Sequence, residues 1–184
     1  MWPMMLVLLA GSVDAPGEAF WQAIEPYCGQ AFEGRMTRGT EPSDKDFAAQ
    51  RMVAHIASCS EGEIRIPFHV GEDRSRTWVL TRSDAGVRLK HDHRHEDGSE
   101  DRITRYGGDT QDGHDGLSLD FHADAFTTRL IPSAATNIWT LAIAPGEHLA
   151  YGLRREQQGR HFRVEFDLSK PVATPPPAWG SEQQ

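Results

Sequence analysis

Apolar and polar residues alternate with a period of two over most of this chain, and that period predicts strands. Ile64, Ile66, Phe68 and Val70 alternate with Arg65, Pro67 and His69. Trp78 and Leu80 alternate with Thr77, Val79 and Thr81, and Val87 and Leu89 with Arg88 and Lys90. Leu149, Tyr151 and Leu153 repeat the pattern, and Phe162, Val164, Phe166 and Leu168, separated by Arg163, Glu165 and Asp167, give the cleanest strand. Residues 52–57 are strand-like, and 138–143 form a continuous apolar run around Trp139. One stretch has a different period. Residues 18–28 place Phe20, Ile24 and Tyr27 or Cys28 on one helical face, with Pro26 limiting the length.

Turn chemistry separates these runs at Ser60-Glu61-Gly62, Gly71-Glu72-Asp73, Ser83-Asp84-Ala85-Gly86, Asp97-Gly98, Gly107-Gly108-Asp109, Pro145-Gly146 and Gln158-Gly159. Intervals of about 8–14 residues suit an antiparallel meander, not βαβ units. The expected fold is mainly β: an antiparallel meander of about 8–10 strands with an N-terminal helix, closed as a barrel or stacked as a sandwich. Residues 16–170 form this single domain, and 171–184, with Pro175-Pro176-Pro177, read as a disordered tail.

Charge narrows the partners. Nineteen Lys+Arg against 27 Asp+Glu leave a net charge of −8 over 184 residues, which repels nucleic acid. The apolar run 4–10 is too short to span a bilayer, which takes about 20 residues. It fits the core of a secretory signal over 1–15, cleaved after Ala15, although no Lys or Arg precedes it. A buried strand is the alternative. Ser12 stands where a lipoprotein carries its lipidated cysteine, so neither a lipid anchor nor a membrane span is expected. Cys28 and Cys59 then pair as one bridge in a secreted or periplasmic protein, worth about 3 kcal/mol for a loop of about 30 residues. Two buried free thiols in a cytosolic protein are the alternative.

The densest candidate chemistry is Lys90-His91-Asp92-His93-Arg94-His95-Glu96. On a straight strand His91, His93 and His95 share the face of Val87 and Leu89, so three imidazoles would line a barrel interior or its mouth. Imidazoles bind divalent transition metals such as Zn, Cu, Ni or Fe. The three span about 13 Å, so at most two adjacent rings reach one ion without help from His114, His122, His148 or His161. A solvated, salt-bridged strand end is the alternative. The carboxylates of residues 109–116 do not have an EF-hand spacing and read as a hairpin loop. Arg74, Arg76 and Arg82 flank Trp78, while Arg65, Arg88, Arg154, Arg155 and Arg163 lie on other strands. Such groups hold carboxylates or phosphates, or pair with neighbours such as Glu72 and Asp73. Nucleophile elbows and phosphate-binding loops are absent from the sequence, so no catalytic residue is assigned.

A helix leading into Phe32-Glu33-Gly34 resembles the opening of calycin barrels, the lipocalins and their relatives, with Phe32 where Trp is usual. The resemblance implies a calycin-like β-barrel. A closed barrel of this size holds either packed side chains or one small ligand. The leading expectation is therefore non-enzymatic binding of a small molecule inside the barrel, lined by Trp78, Arg76, His91, His93 and Trp139. Residues 68–78 and 89–98 also resemble uncharacterised exported proteins of Gram-negative bacteria, a likeness that brings no activity. Gly86, His91, His93 and Glu96, followed by Pro145-Gly146-Glu147-His148, loosely resemble the cupin motifs. That resemblance implies a metal held by His91, His93, Glu96 and His148 and metalloenzyme chemistry, while the histidine strand itself adds His95 as a candidate ligand. A third expectation is an envelope interaction protein with a filled core.

Overall fold

The computed structural model describes residues 15–111 and 116–181. The signal segment, Ser12 and, in the 109–116 loop, Asp112, Gly113, His114 and Asp115 lie outside the described residues, apart from Ala15. Helix α1 (Glu18–Ile24) buries Phe20, Trp21 and Ile24 and then tightens into a 3-10 turn, Glu25–Tyr27, where Pro26 supplies no backbone N–H. Eleven strands follow: β1 Ala31–Gly39, β2 Met52–His55, β3 Ser58–Cys59, β4 Glu63–Val70, β5 Asp73–Ser83, β6 Gly86–His93, β7 Tyr106–Asp109, β8 Ser118–Ala123, β9 Ile138–Ala144, β10 His148–Arg155 and β11 Arg160–Val172. Two short helices interrupt them, α2 (Asp44–Ala48) and α3 (Ala125–Leu130).

Each strand from β4 to β11 pairs antiparallel with the next. β11 returns to β1, β1 pairs β2, and β2 pairs β4, which closes a ten-stranded barrel. The two-residue β3 pairs along β4 outside that ring. The expected mainly β meander with an N-terminal helix is thus the fold, as a barrel and not a sandwich. Closure removes the unpaired edges of an open sheet.

The inward positions are those of the period-two pattern. Trp78 lies between Phe68, at 4.8 Å, and Tyr151, at 4.2 Å, both nearly parallel to it, and Phe166 meets Phe68 and Trp78 edge-on. Helix α1 plugs one end. There the Trp21 indole N–H donates to the Ser60 carbonyl, and the Arg82 guanidinium lies over the Trp21 ring while pairing with Glu18. Cys28 and Cys59 form a disulfide beside this end, with Cα atoms 6.1 Å apart. At the other end Phe47 of α2 meets Phe162 edge-on.

Two expectations need correction. Gly107-Gly108-Asp109 is not a turn but the centre of β7, where a missing Cβ lets neighbouring backbone come close. The segment after 170 is not a free tail over its described length. β11 runs to Val172, Arg74 Nη1 donates to the Pro177 carbonyl at 2.9 Å, and the Trp179 amide donates to the Arg74 carbonyl at 3.1 Å. A proline-rich segment is already extended, so pinning it loses little chain entropy. No helix among the described residues is long and apolar enough to cross a membrane.

Candidate functional site

The barrel interior gathers three of the expected site residues. His91 is 1 % exposed, with the Tyr106 ring stacked on it at 4.4 Å and Trp139 at 5.4 Å. Its Nδ1 lies 3.1 Å from the Tyr106 carbonyl, which can only accept, so Nδ1 carries the proton. Nε2 therefore accepts from the Tyr151 hydroxyl at 2.8 Å. Burial holds the imidazole down to about pKa 3 and the Tyr106 phenol up to about 12, so both are neutral at pH 7. Trp78, His91 and Trp139 are thus buried in the packed interior, His91 with both ring nitrogens hydrogen-bonded.

Arg76 and His93 sit opposite each other at the α2 end. Arg76 pairs with Asp73 at 2.6 Å, and its guanidinium lies 5.4 Å from the Phe47 ring centroid. Burial, then Arg76, lowers the pKa of His93. The other two histidines lie elsewhere. β6 ends at His93, and His95 is exposed in a turn where its amide donates to the Ser99 carbonyl. Glu96 is exposed in the same turn. His148 opens β10 opposite Asp167, while Leu149 points inward. His91 already uses both ring nitrogens, and no cluster of three or more His, Cys, Asp or Glu among the described residues is placed to hold a metal. The sequential strand order also differs from the double-sheet jelly roll of cupins.

A concavity lies outside the barrel, on residues the alternation turns toward solvent. Arg65, Val79 and Lys90 form one cross-strand row over β4, β5 and β6. The next strand places Gly107 opposite Lys90, and helix α3 packs beside it. The Thr127 hydroxyl accepts from the Gly107 N–H and donates to the Gly107 carbonyl, both at 2.7 Å. Asp124 caps α3 by accepting from the Thr127 amide at 2.8 Å, and it pairs with Lys90. Burial opposes the charge on Asp124, but Lys90 and Thr127 outweigh it and lower its pKa. Ala125 and Phe126 therefore stand as a wall beside Val79, enclosing an open groove of about 800 Å³.

Arg88, Arg94 and Arg105 complete the lining together with Asp92. Arg94 and Arg65 both reach Asp92, at 2.8 and 3.5 Å. Arg88 pairs with Asp109 at 2.6 Å, which raises the arginine's pKa, and Arg105 pairs with Glu100. Arg105 has φ 63°, the only positive φ outside glycine among the described residues. Residues held in this left-handed region cluster at functional sites. Sequence reading marked Arg65 and Arg88 as anion holders but missed Lys90, Arg105 and Phe126 in this role. The available signal was a run of basic residues at the polar positions of adjacent strands.

No family model, curated protein or solved structure matches the chain. Fold and site define a class: a closed ten-stranded antiparallel barrel, compatible with the calycin resemblance, with a packed aromatic interior and a basic groove on its outer wall.

The wall can be loosened at one atom. Thr127→Val keeps the shape of the side chain but strands the buried N–H of Gly107, whose carbonyl still accepts from the Asp124 amide at 3.1 Å. The expected loss is about 1–3 kcal/mol in urea unfolding. A change within about 0.3 kcal/mol would show that other contacts hold α3.

Proposed function

We propose that this is an exported, non-enzymatic small-ligand-binding protein whose ligand sits in the outer groove and not inside the barrel. The observation that carries the reading is the contrast between the two places. The interior positions hold stacked Phe68, Trp78 and Tyr151, whereas the groove offers about 800 Å³ of open space beside a half-exposed Phe126. That volume lies in the range of small-molecule sites. Export is supported by the disulfide and by the apolar run at 4–10.

Titration with the fluorescent probe 8-anilinonaphthalene-1-sulfonate tests the seat. One saturable site is expected, weakened at least fivefold by Phe126→Ser. Absence of saturable binding, or binding indifferent to Phe126→Ser, would overturn the assignment.

A further inference from the structure

We infer that the groove selects an organic anion, with a carboxylate, phosphate or sulfonate head on an aromatic or aliphatic body; this rests on the groove being the ligand seat. Charge is the first argument. The chain carries −8 overall, yet five cations line this groove against two carboxylates, Asp92 and Asp124. Four of the five are arginines, whose planar forks grip oxyanions through two parallel hydrogen bonds.

The pairing pattern is the second argument. Asp92 and Asp124 face their partners from within the groove and hold its walls. The partners of Arg88 and Arg105, Asp109 and Glu100, are not among the lining residues. These two arginine side chains are also the most exposed of the five, at 54 % and 65 %. Arg88 meets Asp109 through two hydrogen bonds at 2.6 and 3.1 Å, and Glu100 is shared between Arg105 and Arg94, so a ligand anion competes with Asp109 and Glu100 for forks already shaped to a carboxylate. Position fits this exchange. Arg88 lies two residues to one side of Lys90, and the Arg105 amide donates to the His91 carbonyl on the other. The two arginines thus bracket the Arg65–Val79–Lys90 row.

Backbone strain is the third argument. A left-handed arginine is unfavourable at a position where glycine fits freely. Arg105 nevertheless holds that conformation, and its side chain lines the groove. The apolar body would lie on Val79, Ala125 and the Phe126 ring, over which Lys90 Nζ sits 5.2 Å from the centroid.

The test compares two probes of similar shape, 8-anilinonaphthalene-1-sulfonate and the uncharged N-phenyl-1-naphthylamine. The sulfonate is expected to bind at least tenfold tighter in low salt, with the gap shrinking as salt rises. Arg88→Gln and Arg105→Gly should each weaken the sulfonate at least threefold and leave the neutral probe unchanged. Arg105→Gly should also hold or raise the thermal midpoint, which separates ligand contact from structural support. Equal affinities for both probes, each sensitive to Phe126→Ser, would overturn the anion inference while leaving the seat intact. Sulfonate binding insensitive to Phe126→Ser would remove the seat and the inference together.

Discussion

Gly108→Ala is expected to lower unfolding stability by about 4 kcal/mol or more, among the largest effects of any single substitution. A Cβ at Gly108 would overlap the carbonyl oxygen of His122, which belongs to the neighbouring backbone and cannot swing aside. β7 has four residues and meets β8 at Gly108↔Ala123 and Asp109↔His122. Relief of the overlap must therefore part the two strands, and the barrel loses closure at its shortest seam. Gly107 is next in line and holds α3 through Thr127, so the outer groove opens with the seam. Urea unfolding of the variant, followed by far-ultraviolet circular dichroism, measures the loss. A decrease below about 1 kcal/mol would show that β7 shifts without breaking its ladder.

Acid is expected to act through the buried histidines. His91 has a folded pKa of about 3 and His69 of about 4, both lowered chiefly by burial. An unfolded histidine titrates near 6.5. Between the folded and unfolded values the unfolded chain binds more protons, so stability falls as pH falls. His91 alone should remove about 2 kcal/mol on going from neutral pH to pH 5, and more toward its folded value. Protonating Nε2 would also turn its acceptor into a donor facing the Tyr151 hydroxyl. His91→Gln should flatten this slope between pH 6.5 and 5, with His69 accounting for much of the remainder. An unchanged slope in His91→Gln would mean that His91 titrates normally and is open to water.

The fold was largely legible in the chain because closure of a barrel depends on alternation, and Ile64 to Val70 and Phe162 to Leu168 alternate cleanly. β7 was hidden because its two central residues have no side chains, and Gly-Gly-Asp carries the chemistry of a turn. The run of histidines misled for a related reason. Period two places His91, His93 and His95 on one face only while the strand continues, and β6 stops at His93. His91 then enters the core, where Tyr106 and Tyr151 satisfy both nitrogens. The groove was half legible. Arg65 and Arg88 sat at recognisable polar positions, but the wall they face depends on where α3 packs. That placement rests on Thr127 reaching a glycine 20 residues earlier, a contact no local pattern announces.

The most direct measurement of the ligand seat is a two-dimensional ¹H–¹⁵N spectrum recorded while 8-anilinonaphthalene-1-sulfonate is added. Amides of Val79, Arg88, Lys90, Arg105 and Phe126 should shift together along one saturation curve, with the indole N–H signals of Trp78 and Trp139 unmoved. Shifts centred on those two indoles and on Tyr151, with the outer strands silent, would place the ligand inside the barrel and contradict the account.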